Sequence, residues 1–172
     1  VYWLQTPTLV VPQAFYCDMT TDGGGWVLIA RGRDGWNFAE QGQGDPAVIR
    51  TTTTGPAAFP PEALSTDTID GLLDRAPVTS LTDGIRLRRA VNTAGTQWQE
   101  IRWQMLDLGG WSWAIDGGHR LASASVDGFT FAGGNTSDST TLVSGEVGTG
   151  NRGANNAQRW FTWPWSGNAN KK

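Results

Sequence analysis

Residues 16–26 read Tyr-Cys-Asp-Met-Thr-Thr-Asp-Gly-Gly-Gly-Trp, and they restrict the local fold more than any other stretch of the chain. Three consecutive glycines let the backbone take positive φ and let a neighbouring segment approach closely, which is what a tight turn requires. Before them, Ala14–Met19 alternates, with Phe15, Cys17 and Met19 on one face and Tyr16 and Asp18 on the other. After them, Trp26–Ala30 is an apolar run. Two strands around a turn at residues 20–25 predict a β-hairpin, with Trp26 as a large anchor for the core beside it.

Cys17 is the single cysteine. It could serve as a nucleophile, a metal ligand, half of a disulfide or a buried thiol. A nucleophile needs a base, and nothing in the sequence brings the one histidine, His119, to it. One cysteine closes no intramolecular bridge and builds no multi-cysteine zinc site. The two structural roles are therefore favoured.

The 172 residues suffice for one domain with a core. Formal net charge is −3 with no long basic run, which argues against nucleic acid or an anionic membrane as partner. Only 17% of residues are charged, while glycine numbers 23 and tryptophan 10, a composition suited to a strand-and-loop protein outside the cell. No apolar run reaches membrane-spanning length. The chain opens at Val1, already inside an apolar run, so the missing signal peptide says nothing about secretion.

Val1–Leu4 reads as a strand, and residues 34–61 as mostly loop. Thr66–Ala76 is the one clear helix: Ile69, Leu72, Leu73 and Ala76 form an apolar stripe, Ser65 or Thr66 can cap it, and Pro77 stops it. Gly71 inside it costs about 1 kcal/mol relative to alanine. Ile85–Val91 predicts a strand with Ile85, Leu87 and Val91 opposite Arg86 and Arg88; Gln97–Leu106 predicts another, with Ile101, Trp103 and Met105 on one face. Residues 128–134, 141–147 and 159–165 complete the strand candidates, the last bent or at an edge because of Pro164. Of six Asp-Gly pairs, the five outside the helix punctuate strands.

The pattern Tyr-Cys-Asp, four residues, Gly-Gly-Gly-Trp resembles the start of a fibrinogen C-terminal-like domain of the bacterial branch, matching at Tyr16, Cys17, Asp18, Gly23, Gly24, Gly25 and Trp26. "VYWLQTP" and "ALSTDTIDGLL" are similar to the family's preceding segment and early helix. The close match covers about the first fifth of the chain. The resemblance implies an α+β fold, a single fibrinogen-like domain over residues 1–172: a twisted, mainly antiparallel sheet with short helices and a long loop-rich C-terminal half. It implies a secreted recognition module, often a calcium-associated lectin. In the family the matching cysteine pairs with one slightly upstream, so the resemblance implies for Cys17 a disulfide partner outside this chain. The family also continues past its Trp-Pro-Trp region, so both ends of the chain read as cut.

Sugar sites use aromatic faces against pyranose rings and nearby amides or carboxylates for the hydroxyls. Trp111, Trp113, Trp163 and Trp165 are the stacking candidates and His119, among glycines, a loop contact. Calcium needs about six to eight oxygens. Asn135, Asp138, Glu146, Asn151 and Asn155, with Asn156 beside them, are the candidate set, without EF-hand spacing. The expectation is a non-catalytic, lectin-like or adhesin-like module at the cell surface binding glycans or acetylated groups, with calcium as cofactor and homo-oligomerisation open to it. A structural subunit of a surface fibre is the first alternative. A carbohydrate-active hydrolase is the second, although no spacing singles out a carboxylate pair.

Overall fold

The computed structural model describes residues 1–31, 46, 62–90, 94, 96–112 and 120–132. These residues form small antiparallel sheets with few helical segments, an α+β arrangement. They fall into two compact units. The first comprises the described residues of Val1–Ala76 with residues 110–112, and the second Pro77–Gly109 with residues 120–132.

In the first unit, β1 (Tyr2–Leu4) pairs with β2 (Gln13–Phe15), Tyr2 opposite Phe15. β3 (Cys17–Asp18) pairs with β4 (Trp26–Val27), Cys17 opposite Val27 and Asp18 opposite Trp26. β5 (Ala30–Arg31) pairs with β6 (Glu62–Ala63). The expected hairpin is present, but residues 14–19 are not one strand. The chain leaves one ladder after Phe15 and enters another at Cys17, so Phe15 is buried while Met19 is exposed. Trp26, the expected anchor beside the turn, is half-buried.

Helix α1 (Thr66–Leu72) starts where the sequence places it: the Ser65 hydroxyl accepts from the Thr68 N–H at 3.1 Å. It ends four residues before the expected Ala76. Asp74 takes φ 51° and Arg75 φ 60°. The Arg75 N–H donates to the Asp70 carbonyl at 2.8 Å and the Asp74 N–H to the Gly71 carbonyl at 3.0 Å. That pair of bonds is a Schellman termination with aspartate in the left-handed position usually held by glycine. The Asp74 carboxylate is occupied there, accepting from the N–H and hydroxyl of Thr8 at 3.0 and 2.8 Å. Gly71 has a packing reason: a Cβ on it would lie 2.7 Å from Leu9 Cδ2.

The second unit is a four-stranded antiparallel meander. β7 (Ile85–Ala90), β8 (Trp98–Met105), β9 (Leu121–Val126) and β10 (Phe129–Ala132) lie in sequential order. β8 carries the predicted alternation, with Ile101, Trp103 and Met105 buried on one face. Val78 is also buried, its N–H donating to the Gly109 carbonyl at 2.7 Å. β9 and β10 are joined by Asp127 and Gly128 at φ 48° and 85°, the type I′ geometry for which Asp-Gly is suited.

The sequence reading missed β9. Gln104 faces Ser123 but Met105 faces Leu121, so Ala122 is an extra residue in a bulge. The bulge returns Leu121 to the face of Ala124, and both are buried although three positions apart. A period of two cannot find such a strand, and alanine and serine carry little strand preference. Apart from residue 46, residues 34–61, where a loop was expected, and the expected strands at 141–147 and 159–165 lie outside the described residues.

Candidate functional site

A sheet with one buried face presents the alternate side chains on the other. In the second unit those are Arg86 and Arg88 on β7, Trp98, Glu100, Arg102 and Gln104 on β8, Ser123 and Ser125 on β9, and Thr130 on β10. Strand register sets Arg86 opposite Arg102, Arg88 opposite Glu100, Arg102 opposite Ser125 and Gln104 opposite Ser123. Like charges directly opposite destabilise a sheet. Glu100 relieves the Arg86–Arg102 pair: its Oε2 is 2.6 Å from Arg86 Nε and its Oε1 2.6 Å from Arg102 Nε. Arg88 Nε lies farther off, 3.7 Å from Oε2. The Arg88 guanidinium sits 5.0 Å above the centre of the Trp98 ring, a cation–π contact worth about 0.5–1 kcal/mol at an exposed site.

Beside this cluster is a shallow depression of about 170 Å³, lined by Asp83, Arg102, Gln104, Ser123, Ser125 and Thr130 together with Trp103 and Ala124. The Gln104 amide is held from both ends. Its nitrogen donates to the Thr82 carbonyl, and its oxygen accepts from the Ser123 hydroxyl at 3.1 Å. A fixed amide, three hydroxyls, a guanidinium and a carboxylate can donate to and accept from a polyhydroxylated ligand.

Of the predicted stacking residues, Trp111 is 5% exposed, and its backbone N–H donates to Asp70 Oδ1 at 2.7 Å. A ring buried to that degree presents little open face. Trp113, His119, Trp163 and Trp165 lie outside the described residues, as do Asn135, Asp138, Glu146, Asn151, Asn155 and Asn156. Among the described residues no three His, Cys, Asp or Glu side chains gather as a metal group. The exposed tryptophans described are Trp3 and Trp98.

The hairpin of residues 16–26 is organised by Asp18. Its Oδ1 accepts from the Thr20 N–H and hydroxyl and the Thr21 N–H at 3.0, 2.9 and 3.1 Å, and its Oδ2 from the Thr21 hydroxyl at 2.6 Å. The Thr21 hydroxyl bond, then the two N–H bonds and the Thr20 hydroxyl, hold this carboxyl far below the usual carboxylate range. Cys17 is half-buried and free of any disulfide within the chain, with Sγ 3.8 Å from the Phe15 carbonyl oxygen. Burial pushes its thiol pKa up, the opposite of what an activated nucleophile needs.

The sequence reading overlooked the polar sheet face. Arg86 and Arg88 stood out as the back of an apolar strand, and Glu100, Arg102 and Gln104 occupy the equivalent positions of the next one. The period-two signal was available; the register that gathers them, and the bulge that places Ser123, were not. Comparisons with models of protein families, with curated proteins and with solved structures gave no match.

Proposed function

We propose that this chain is a non-catalytic extracellular recognition module of fibrinogen-like type, binding glycans or acetylated groups on a cell surface. The observation that carries the reading is the polar sheet face. Guanidinium, amide, hydroxyl and carboxylate groups line one depression, and the Gln104 amide is held there from both ends. Fixing the polar groups in advance lowers the entropic cost of binding. The fibrinogen-like assignment rests on the Tyr-Cys-Asp to Gly-Gly-Gly-Trp pattern, and the Asp18-centred turn supplies a physical reason for its aspartate and for Gly24. Calcium held by residues 135–156 belongs to the same proposal. A glycan array run with and without EDTA tests it: hits are expected, weakened by chelation. An array without hits refutes the lectin reading, and binding indifferent to EDTA refutes the calcium.

A second reading, a subunit of a surface assembly, is favoured by Trp3, Val10 and Val11 in the first unit, which are 73%, 81% and 60% exposed. Apolar side chains that open to water are what self-association buries. Light scattering decides: a stable large assembly without glycan affinity supports it, and a monomer at all concentrations rejects it.

A further inference from the structure

We propose that the Arg88–Trp98 end of the polar sheet face is a subsite for the carboxylate of an acidic saccharide, with a uronate-type chain running along β8 towards the Gln104–Ser123 depression. This rests on the recognition reading above and names the ligand class for that site.

The argument is one of charge and geometry. The chain as a whole carries a formal net charge of −3, yet this face gathers Arg86, Arg88 and Arg102 around the carboxylate of Glu100, with Asp83 the one further carboxylate in the lining of the depression. The contacts at 2.6 Å commit each Glu100 oxygen to Arg86 or Arg102. Arg88 is the outlying member: it is 3.7 Å from the shared oxygen, and its side chain is 47% exposed. A guanidinium presents five N–H donors in a planar fork that matches a carboxylate bidentately. Seating over Trp98, itself 50% exposed, limits the rotamers of Arg88, so less freedom is lost when the fork is filled.

The remaining donors continue the line. From Trp98 to Gln104 β8 covers six residue steps, about 20 Å at roughly 3.3 Å per residue. Within that length the face passes from Arg88 through Arg102 to the Gln104 amide and the Ser123, Ser125 and Thr130 hydroxyls. A surface richer in donors than in carboxylates complements a ligand rich in acceptors, and its length suits an oligosaccharide better than a single sugar.

The test uses the full chain with two probes, an oligogalacturonate and its methyl ester, which keeps the sugars and removes the charge. Titration calorimetry is expected to show tighter binding of the acid form, weakening as salt rises. Arg88→Ala should lower acid-form affinity about fivefold or more and ester affinity by clearly less, so that the preference for the acid is lost. Arg88→Lys, which keeps the charge and loses the fork, should fall between. Circular dichroism checks that both variants keep the sheet. The proposal is overturned if Arg88→Ala retains the preference for the acid, if polyglutamate competes as well as the oligogalacturonate, or if the two probes bind equally. Neutral glycans bound on an array without acid preference would leave the recognition reading standing and remove this one. An array and titrations without any glycan binding would remove both.

Discussion

Gly24 and Gly25 are neighbours in one turn with nearly the same φ, 92° and 89°, yet the structure predicts different responses to alanine. Gly24 combines that φ with ψ −165°, a region open almost only to glycine, where another residue costs about 1–3 kcal/mol. A Cβ on Gly24 would also lie 2.8 Å from both Cα and the carbonyl oxygen of Met19. Those are backbone atoms, which cannot rotate aside as a side chain can, so the turn must shift, at about 1–3 kcal/mol more by comparison with overpacked cores. A Cβ on Gly25 meets nothing within 4 Å and incurs the left-handed strain alone, about 1–2 kcal/mol. Gly24→Ala should therefore destabilise the first unit by about 1–3 kcal/mol more than Gly25→Ala. Urea titration followed by tryptophan fluorescence measures both, with Gly23→Ala, also at positive φ in open space, as a second reference. If the Gly24 and Gly25 variants unfold at the same urea concentration, close approach is not what the middle glycine provides, and the account of the motif fails.

Trp103→Ala removes one of the largest fully buried side chains and should cost about 3–5 kcal/mol, whereas Leu106→Ala, at an exposed position, should stay within about 0.5 kcal/mol; chemical denaturation compares them. The depressed Asp18 carboxyl sets a pH dependence: its stabilisation is fully present above the unfolded-state pKa and is lost as pH falls through the lower folded-state value. Acid titration of stability should thus show the wild type losing its advantage over Asp18→Asn below about pH 4, and parallel curves from pH 3 to 7 would contradict the assignment. With its thiol pKa raised by burial, Cys17 should alkylate more slowly at pH 7 than in the urea-unfolded chain, and equal rates would show that the thiol is neither shielded nor shifted.

Much of the local structure was legible because its cause is local. The Ser65 cap, the Asp127-Gly128 hairpin and the buried face of β8 depend on a residue's own backbone preferences or on a period of two within a few positions. Failures came where a distant contact overrode the pattern. Leu72, Leu73 and Ala76 fit a longer helix, but the left-handed Asp74, bonded to Thr8, ends it early. Residues 14–19 alternate as one strand, yet consecutive stretches pair with different partners. Exposure of tryptophan was not legible at all: Trp98 and Trp111 look alike in sequence, and one is half-exposed while the other is buried.

By itself, the sequence determined the turn chemistry of residues 16–26 and the strand-rich class. These follow from residue types and short spacings, which act within a few ångströms of the backbone. Only the tertiary structure decided which polar side chains meet. The register of β7, β8 and β9, with its bulge at Ala122, sets Glu100 between two arginines and Ser123 against Gln104. A one-residue slip would send each of those groups to the opposite face, so the candidate site is a property of the pairing between strands, which none of the strands encodes alone.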